Sequence, residues 1–357
     1  MSEHEIFVGT YTANSAPAGE GKGVYHLVVD DEKHTISQPR LVAEIESGSW
    51  ITRVGDVLWS VREEEQGTVA AFDIKDDGTL RAIPGADFST GAGSPCHLAV
   101  TPNGRHLIAS SYGDGVVSDI ALTADGKPEV DADGRVSLAV HHHEGSGPNK
   151  DRQTSPHAHS AWIAPGGKHV LVADLGTDEL RRYAISESGT GGLEEDGIAA
   201  KLPGGAGPRH LAVSSTGFIY VTGELDNSVH ILRWNDVDAT ADYLGSLLVG
   251  EPQNIAGRTD AFPGHLELSA DETRLWVANR GPNIIATFAV EDGNLHHLAD
   301  VQVGGENPRH FTRVGNCLVV GHQNTNTLAL LPLDDNGIAQ APATVIEMGS
   351  PVCILPL

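Results

Sequence analysis

The sequence predicts an all-β protein with the fold of a seven-bladed β-propeller. A repeating unit recurs along the whole chain at intervals of about 45 to 60 residues, a period that is typical of propeller blades. Glycine is abundant at 42 residues and proline contributes 19, which favours short strands with sharp turns over long helices. The two ends of the chain resemble different parts of one unit, which indicates a closed ring.

The repeating unit is clearest between Ser94 and Tyr112. It begins with a Pro-x-His pattern and a short apolar run, turns at a Pro-Asn-Gly sequence, and returns as a second apolar run. A small or charged residue ends the second run. Sister units begin at five similar points, which are Ser47, Ser155, Gly207, Pro263 and Asn307. Each unit is predicted to supply the strands of one blade.

Apolar runs bounded by turn residues predict the individual strands in order. The runs before the third unit are Ile6–Thr12, Gly23–Val29, Leu41–Ile45, Val57–Val61 and Val69–Ile74. The second runs of the later units are Leu107–Tyr112, Leu171–Asp174, Ile219–Glu224, Leu275–Arg280 and Leu318–Gln323.

The chain ends predict how the ring closes. Val8–Tyr11 resembles the second run of a unit, and Gly349–Leu355 resembles a first run that the N-terminal unit lacks. We expect the C-terminal strand to pair with the N-terminal blade, which removes a free sheet edge. Six whole units and one shared unit give seven blades in a single domain, residues 1–357. An open pair of β-sandwiches is the alternative, but it does not explain the split repeat.

The composition limits the possible partners and the cellular setting. The net charge is −25, with 48 acidic and 23 basic residues, so the chain repels nucleic acid and anionic membranes. Three cysteines without a C-x-x-C motif make a disulfide framework or a structural zinc site unexpected. No signal peptide or membrane span is recognisable, and we expect a cytoplasmic protein. Nothing in the sequence indicates an oligomeric state.

Two variable positions of each repeat are predicted to converge on the central channel. They are the start of the first strand and the turn after the second strand, which approach the same face of a blade. The first position supplies Cys96, His97, His157, His159, Arg209, His210, His265, Arg309 and His310. The second supplies Glu63 or Glu64, Tyr112, Asp174, Glu224, Arg280 and Gln323. Arginines and histidines gathered in an acidic protein predict a pocket for a small anion such as a phosphate or a carboxylate.

Structural roles are the alternative for several of these side chains. The recurring histidines His97, His210, His265 and His310 can hydrogen-bond the backbone of a neighbouring blade, and Asp174 can cap its own turn. Arg209 or Arg309 can form an ion pair with Glu224 between blades. Glu224 favours a functional role, because sister units carry different residues at its position.

His157 and His159 are two residues apart on a predicted strand and therefore share one face. We expect a structural or an acid–base role, and metal ligation, which this spacing also suits, is the alternative. No H-E-x-x-H, EF-hand, phosphate-loop or G-x-S-x-G motif is present. The segment His141–Asn149 breaks the repeat and is interpreted either as a lid or as a solvated insertion.

At these residues the chain resembles the seven-bladed lactonases related to bacterial 6-phosphogluconolactonase and fungal carboxymuconate cyclase. The matching motifs lie in family order and are Phe7–Thr12, Gly21–Tyr25, His143–Asn149 with Arg152-Gln153, Pro156–Ser160, Asp174–Asp178, Gly207–His210, Glu224-Leu225, Asn279–Gly281 and Pro308-Arg309. The sequence differs at His265, where relatives often have an acid, and at His310, where they often have asparagine. Both differences bear on the identity of the lactone.

The resemblance implies an enzyme that hydrolyses a small anionic sugar lactone, foremost 6-phosphogluconolactone to 6-phosphogluconate in the pentose phosphate pathway, without a cofactor or metal. The candidate catalytic residues are His157 or His159, Arg209, Glu224 and Arg280. Glu224 or a histidine acts as the base, and Arg209 and Arg280 stabilise the oxyanion or hold the anionic tail. Substrate-binding candidates are Arg309, His210, His310, His265, Gln323, Asp174 and Tyr112, with Arg309 on the phosphate or carboxylate. The alternatives are a carboxymuconate-type cyclase, a metal-dependent sugar lactonase and a non-catalytic binding propeller.

Overall fold

The computed structural model describes residues 2–186 and 192–357, and this part of the chain is built almost wholly from antiparallel sheets. The strands before the fifth unit are β1 (Glu3–Thr10), β2 (Gly23–Asp30), β3 (Thr35–Ile36), β4 (Arg40–Glu44), β5 (Ile51–Val54), β6 (Val57–Arg62), β7 (Thr68–Ile74), β8 (Leu80–Ser89), β9 (Pro95–Val100), β10 (His106–Ser111), β11 (Val116–Ala121), β12 (Leu138–His142), β13 (Ala158–Ile163), β14 (His169–Asp174), β15 (Glu179–Ile185) and β16 (Leu193–Lys201).

The remaining elements complete the last three units. They are β17 (Pro208–Val213), β18 (Phe218–Gly223), β19 (Ser228–Asn235), β20 (Thr240–Leu248), the short helix α1 (Pro252–Ile255), β21 (Phe262–Leu268), β22 (Arg274–Arg280), β23 (Ile284–Glu291), β24 (Asn294–Gln302), β25 (Pro308–Val314), β26 (Cys317–His322), β27 (Thr327–Pro332), β28 (Thr344–Glu347) and β29 (Pro351–Pro356).

Within the described residues these strands form seven sheets, one for each predicted blade. Six sheets are four-stranded meanders, such as β5-β6-β7-β8 and β25-β26-β27-β28. The seventh has the order β29-β1-β2-β3, and β4 also pairs with β2. The predicted fold class, an all-β seven-bladed propeller, is confirmed.

The C-terminal strand completes the sheet that the N-terminus begins. β29 pairs antiparallel with β1, and Ile354 lies opposite Val8 in the register. Ile354 is only 3% exposed and packs in one apolar cluster with Val8 and Val319. The edge of β1 is thereby paired, and the predicted closure is confirmed.

The middle strands of each sheet explain the continuous apolar runs in the sequence. β10 is buried at every residue from His106 to Ser111, because both of its faces are covered. The outermost strands differ: β20 is exposed at most positions from Asp242 onward. A run with no polar alternation therefore identifies the interior strands of each unit.

The chain divides into two compact units. The first unit comprises Met1–Gly48, Tyr220–Ile231 and Gly245–Leu357, and the second comprises Ser49–Ile219 and Leu232–Leu244. Within the second compact unit, β5, β9, β13 and β17, each the first strand of its sheet, lie side by side in chain order. Within the first unit, β21, β25 and β29 do the same. The prediction of a single domain, residues 1–357, stays a prediction.

Glu267 is an acidic residue on β21, the first strand of its sheet. Its carboxylate accepts hydrogen bonds from the backbone N–H of Arg313 on β25, at 3.2 and 3.3 Å. Burial raises the pKa of Glu267 to about 7, although the Arg313 N–H opposes the shift. Glu267 is therefore a carboxyl group that titrates near neutral pH.

None of the helices in the described ranges has the length and apolarity that a membrane crossing requires.

Candidate active site

The start of the first strand lies beside the end of the second strand in each sheet. β13 pairs with β14 at Ala158 and Asp174, and β25 pairs with β26 at Pro308 and His322. In these sheets, the two variable positions of a repeat therefore share one end of the sheet. This agrees with the sequence analysis.

His157 lies just before β13, and one of its ring nitrogens is engaged in a hydrogen bond. Its Nδ1 is 2.7 Å from the backbone oxygen of Tyr112. A carbonyl oxygen only accepts hydrogen bonds, so Nδ1 carries the proton and the neutral ring offers Nε2 as an acceptor. The Tyr112 ring stacks on the imidazole at 4.4 Å and 13°. His157 is also partly exposed, which leaves it accessible for proton transfer.

Arg152 and His159 also contact Tyr112, and these four residues are here named the histidine cluster. Arg152 donates from Nη2 to the Tyr112 hydroxyl at 3.0 Å. The ring of His159 meets Tyr112 edge-on at 5.7 Å. His159 is 5% exposed, and its backbone oxygen accepts from Cys96 Sγ at 3.2 Å. Of the two predicted histidines, His157 is therefore the more accessible.

Asp174 is fully buried at the end of β14 and hydrogen-bonded at both oxygens. Oδ1 accepts from the backbone N–H of His157 and Gly176, each at 2.9 Å, and of Thr177 at 3.2 Å. Oδ2 accepts from His143 Nδ1 at 2.6 Å. Burial acts to raise the pKa of Asp174, but the hydrogen bond and charge of His143 with the backbone N–H of His157 lower it overall. These contacts include the turn-capping role that the sequence suggested.

Two of the recurring histidines bond a neighbouring blade. His97 Nδ1 accepts from the backbone N–H of Ala161 at 3.3 Å, and His310 Nδ1 accepts from that of Ile354 at 3.2 Å. In each case, the acceptor is on one first strand and the donor on the next. The structural alternative raised for these two histidines is confirmed by these contacts.

Arg209 and His210 follow Pro208 in β17, and both are buried. Arg209 is 2% exposed, and its backbone oxygen accepts from Ser160 Oγ at 2.6 Å. The His210 ring lies 5.3 Å from Trp50 and 5.4 Å from His159. The guanidinium of Arg209 keeps its positive charge even when it is buried.

Glu224 and Arg280 form a buried ion pair in the first unit. Arg280 Nη2 lies 2.6 Å from Glu224 Oε2, and the side chains are 13% and 6% exposed respectively. Arg280 also donates to the backbone oxygens of Phe262 at 3.0 Å and Pro263 at 3.2 Å. Gly281 follows with φ +85°, and a Cβ there would lie 1.8 Å from the oxygen of Asp260. The sequence placed Glu224 and Arg280 in one site, and they are in direct contact.

The backbone of Arg309 lies beside Gly264. A Cβ at Gly264, which follows Pro263, would be 2.9 Å from the Arg309 oxygen. The Arg309 guanidinium lies over the ring of Tyr11 at 5.2 Å. His265 stacks on His310 at 4.2 Å and 26°.

Gln323 follows β26 and is 7% exposed. Its backbone N–H donates to Asn307 at 3.2 Å, and its side-chain oxygen has no hydrogen-bond partner within the described residues. The preceding His322 is fully buried, with Nδ1 at 2.9 Å from Thr327 Oγ1. Burial lowers the pKa of His322 to about 4, so this histidine is neutral at pH 7.

Residues 2–186 and 192–357 contain no group of three or more His, Cys, Asp or Glu side chains placed to hold a metal ion.

The structure also identifies two residues that the sequence left without a role, Arg152 and His143. Both lie in the segment between β12 and β13 that breaks the repeat. The segment is anchored by His143 on Asp174 and by Gln153, which donates to Asp178 Oδ1 at 2.7 Å. Their position in a repeat-breaking segment was the one feature of the sequence that set them apart. Their contacts with Asp174 and Tyr112 become visible only in the structure. Whether the segment opens as a lid stays a prediction.

Comparison with known proteins identifies the family. The family model for lactonases with a seven-bladed β-propeller matches residues 5–356. The 6-phosphogluconolactonase of Bacillus subtilis is 30% identical over 369 positions, covering 99% of this chain and 98% of the relative. An uncharacterised protein of Staphylococcus saprophyticus is 32% identical over 323 positions, covering 89% of this chain and 88% of the relative. The solved periplasmic gluconolactonase of Pseudomonas aeruginosa is 27% identical with a TM-score of 0.87, covering 100% of this chain and 99% of that one. The chain belongs to the lactonase family of seven-bladed β-propellers.

Proposed function

We propose that this chain hydrolyses a small anionic sugar lactone, with 6-phosphogluconolactone as the leading substrate and 6-phosphogluconate as the product. Membership of the lactonase family supports the reaction class, and the curated 6-phosphogluconolactonase relative supports the substrate. The observation that carries the proposal is the hydrogen bond from His157 Nδ1 to the Tyr112 backbone oxygen. It orients a partly exposed imidazole with Nε2 as the acceptor.

His157 is the proposed general base. Nε2 takes a proton from water as the water oxygen attacks the lactone carbonyl carbon, and the carbonyl oxygen becomes an oxyanion. The bond between that carbon and the ring oxygen then breaks. The imidazolium returns its proton to the ring oxygen, and the product carboxylic acid ionises in water.

Glu224 is the alternative base that the sequence suggested, and its surroundings favour a different role. Its Oε2 is held by Arg280 at 2.6 Å, and a carboxylate in contact with a guanidinium is a weaker proton acceptor. We propose that Glu224 orients Arg280. The side chain of Arg280 then keeps a fixed direction, as an anion ligand requires.

The arginines supply positive charge in a chain with net charge −25. Arg209 is the proposed oxyanion ligand, and Arg280 and Arg309 are the proposed ligands of the anionic tail. These roles rest on the sequence pattern, the charge and the local contacts of each residue. A guanidinium binds phosphate or carboxylate through two parallel N–H donors, which a lysine cannot reproduce.

A substrate panel tests the proposed function. Acid release is followed with freshly prepared 6-phosphogluconolactone, unphosphorylated gluconolactone and a carboxymuconate, each with and without EDTA. We expect the highest kcat/KM on the phosphorylated lactone and no effect of the chelator. Lactonisation of the muconate would identify the cyclase, and loss of rate with EDTA would identify a metal lactonase. A rate equal to spontaneous hydrolysis on every lactone would contradict the proposal and favour a binding propeller without catalysis.

A further inference from the structure

A buried polar network lies directly behind His157 and takes no part in the proposed reaction. It consists of Asp174, His143 and Tyr183. His143 donates from Nδ1 to Asp174 Oδ2 at 2.6 Å, and its Nε2 is 2.7 Å from the Tyr183 hydroxyl. The side chains of His143 and Asp174 are both fully buried. Burial raises the pKa of Tyr183, so the phenol stays protonated at neutral pH.

We propose that Asp174, supported by His143, is a positioning residue that fixes the backbone of His157 and thereby aims its Nε2. This inference rests on the proposed role of His157 as the base. Asp174 itself does not touch the substrate in this proposal. It acts through its hydrogen bond with the His157 N–H, and its negative charge contributes only to the local fold.

The backbone of His157 is held at both of its polar groups by the end of β14. Asp174 Oδ1 accepts from the His157 N–H at 2.9 Å, and the Leu175 N–H donates to the His157 oxygen at 2.9 Å. From this backbone position the ring reaches the Tyr112 backbone oxygen, with Nδ1 at 2.7 Å. Three hydrogen bonds therefore determine the position and orientation of one side chain. Accurate placement of a base is worth a large factor in rate.

His143 makes it possible to keep this carboxylate buried. An ionised carboxylate out of water is costly unless it is paired and hydrogen-bonded. His143 supplies a short bond to one oxygen, and three backbone N–H groups supply the other. Gly176 allows this arrangement, because a Cβ there would lie 1.9 Å from the Ser155 oxygen.

The sister sheets indicate that the network is not a general requirement of the fold. The residues that occupy the corresponding position at the end of the second strand are Ser111, Asn279 and His322. A device that every blade needed for folding would recur at these positions. The aspartate is instead found in the one sheet whose first strand is preceded by His157.

Two substitutions of Asp174 separate positioning from direct action. Asp174→Asn keeps an oxygen for the three N–H donors, and His143 can switch tautomer to match the new amide, because a hydroxyl can either donate or accept. We expect its kcat to stay within about threefold of the wild type. Asp174→Ala removes the acceptor, and we expect kcat to fall about 10- to 100-fold with KM changed less than about threefold.

Asp119→Ala is the matched control. Asp119 is also buried, accepts from His106 Nδ1 at 2.7 Å, and accepts from the backbone N–H of Leu193 at 2.7 Å. It belongs to the second unit but not to the histidine cluster. We expect it to lower the thermal midpoint as Asp174→Ala does while leaving kcat unchanged. Equal losses of kcat in both alanine variants would show a general stability effect and overturn the proposal.

The nitrogen NMR signals of the His157 ring give a readout that is independent of activity. We expect one Nδ1-protonated tautomer in the wild type and in Asp174→Asn, and a mixture in Asp174→Ala. If Asp174→Ala does not fold, Asp174→Asn still tests the proposal. A large loss of kcat in Asp174→Asn with an unchanged His157 tautomer would show that the charge of Asp174 acts directly, and it would overturn the positioning role. If a His157 variant keeps full activity, the proposed base is wrong, whereas an unchanged tautomer in Asp174→Ala would refute the positioning role by itself.

Discussion

Replacing Glu267 by glutamine is expected to stabilise the protein at alkaline pH and to have little effect in acid. Glu267 has a pKa of about 7 in the folded chain, raised by burial from an ordinary 4.5. The folded state therefore binds more protons than the unfolded state between these two values. The free energy of unfolding consequently falls as the pH rises through this window, and it levels off above pH 7.

The size of the effect follows from the shift. A difference of 2.5 pH units at about 1.36 kcal/mol per unit gives about 3 kcal/mol at pH 8, and almost nothing at pH 4.5. An unfolding entropy of about 2.1 cal/mol/K per residue over 357 residues converts this to an increase of about 4 °C in Tm. Glutamine keeps an oxygen for the Arg313 N–H but has no charge to desolvate.

Thermal unfolding by circular dichroism at pH 5 and pH 8 measures the difference. Glu291→Gln is the control, because this carboxylate is 73% exposed. We expect Glu267→Gln to raise Tm by about 4 °C at pH 8 and by only about 1 °C at pH 5, with no change in the control. An equal rise at both pH values, or a fall at pH 8, would refute the assignment of a raised pKa to Glu267.

Two further predictions concern the anionic group and the closure of the fold. Arg309→Met, which removes one charge-assisted contact, should raise KM for 6-phosphogluconolactone about 10- to 100-fold and KM for gluconolactone less than about threefold. Equal increases in steady-state KM for both lactones would exclude a phosphate contact. Ile354→Ala, at a site that is 3% exposed, should lower the free energy of unfolding by about 2 to 5 kcal/mol in urea titrations. The exposed Leu357→Ala is its control, and similar midpoints for the two variants would argue against a packed closing strand.

The fold could be predicted from the sequence because each unit repeats one pattern of apolar runs and turns. The period gave the number of blades, and the likeness of Gly349–Leu355 to a first strand gave the pairing of β29 with β1. Strand limits were less accurate where polar residues continue the pairing. The first strand, for example, begins at Glu3 and ends at Thr10, not at Ile6 and Thr12. Backbone hydrogen bonds alone extend a strand over such residues.

The candidate site was only partly predictable. Repeat positions identified Glu224 and Arg280, which are in contact, and His157 beside Tyr112. They could not separate the accessible His157 from the buried His159, because that difference depends on packing against Cys96. The contacts of His143 with Asp174 and of Arg152 with Tyr112 join a repeat-breaking segment to other strands. A local sequence pattern cannot predict contacts between residues that are far apart in the chain.

The role of His157 is tested most directly by the rate of acid release from freshly prepared 6-phosphogluconolactone with the wild type and with His157→Gln. The variant His142→Gln, at an exposed histidine, serves as the control. We expect the wild type and the control to have equal kcat, and His157→Gln to lose at least about 100-fold, the usual contribution of a general base. A His157→Gln enzyme with the kcat of the wild type would contradict the proposed mechanism.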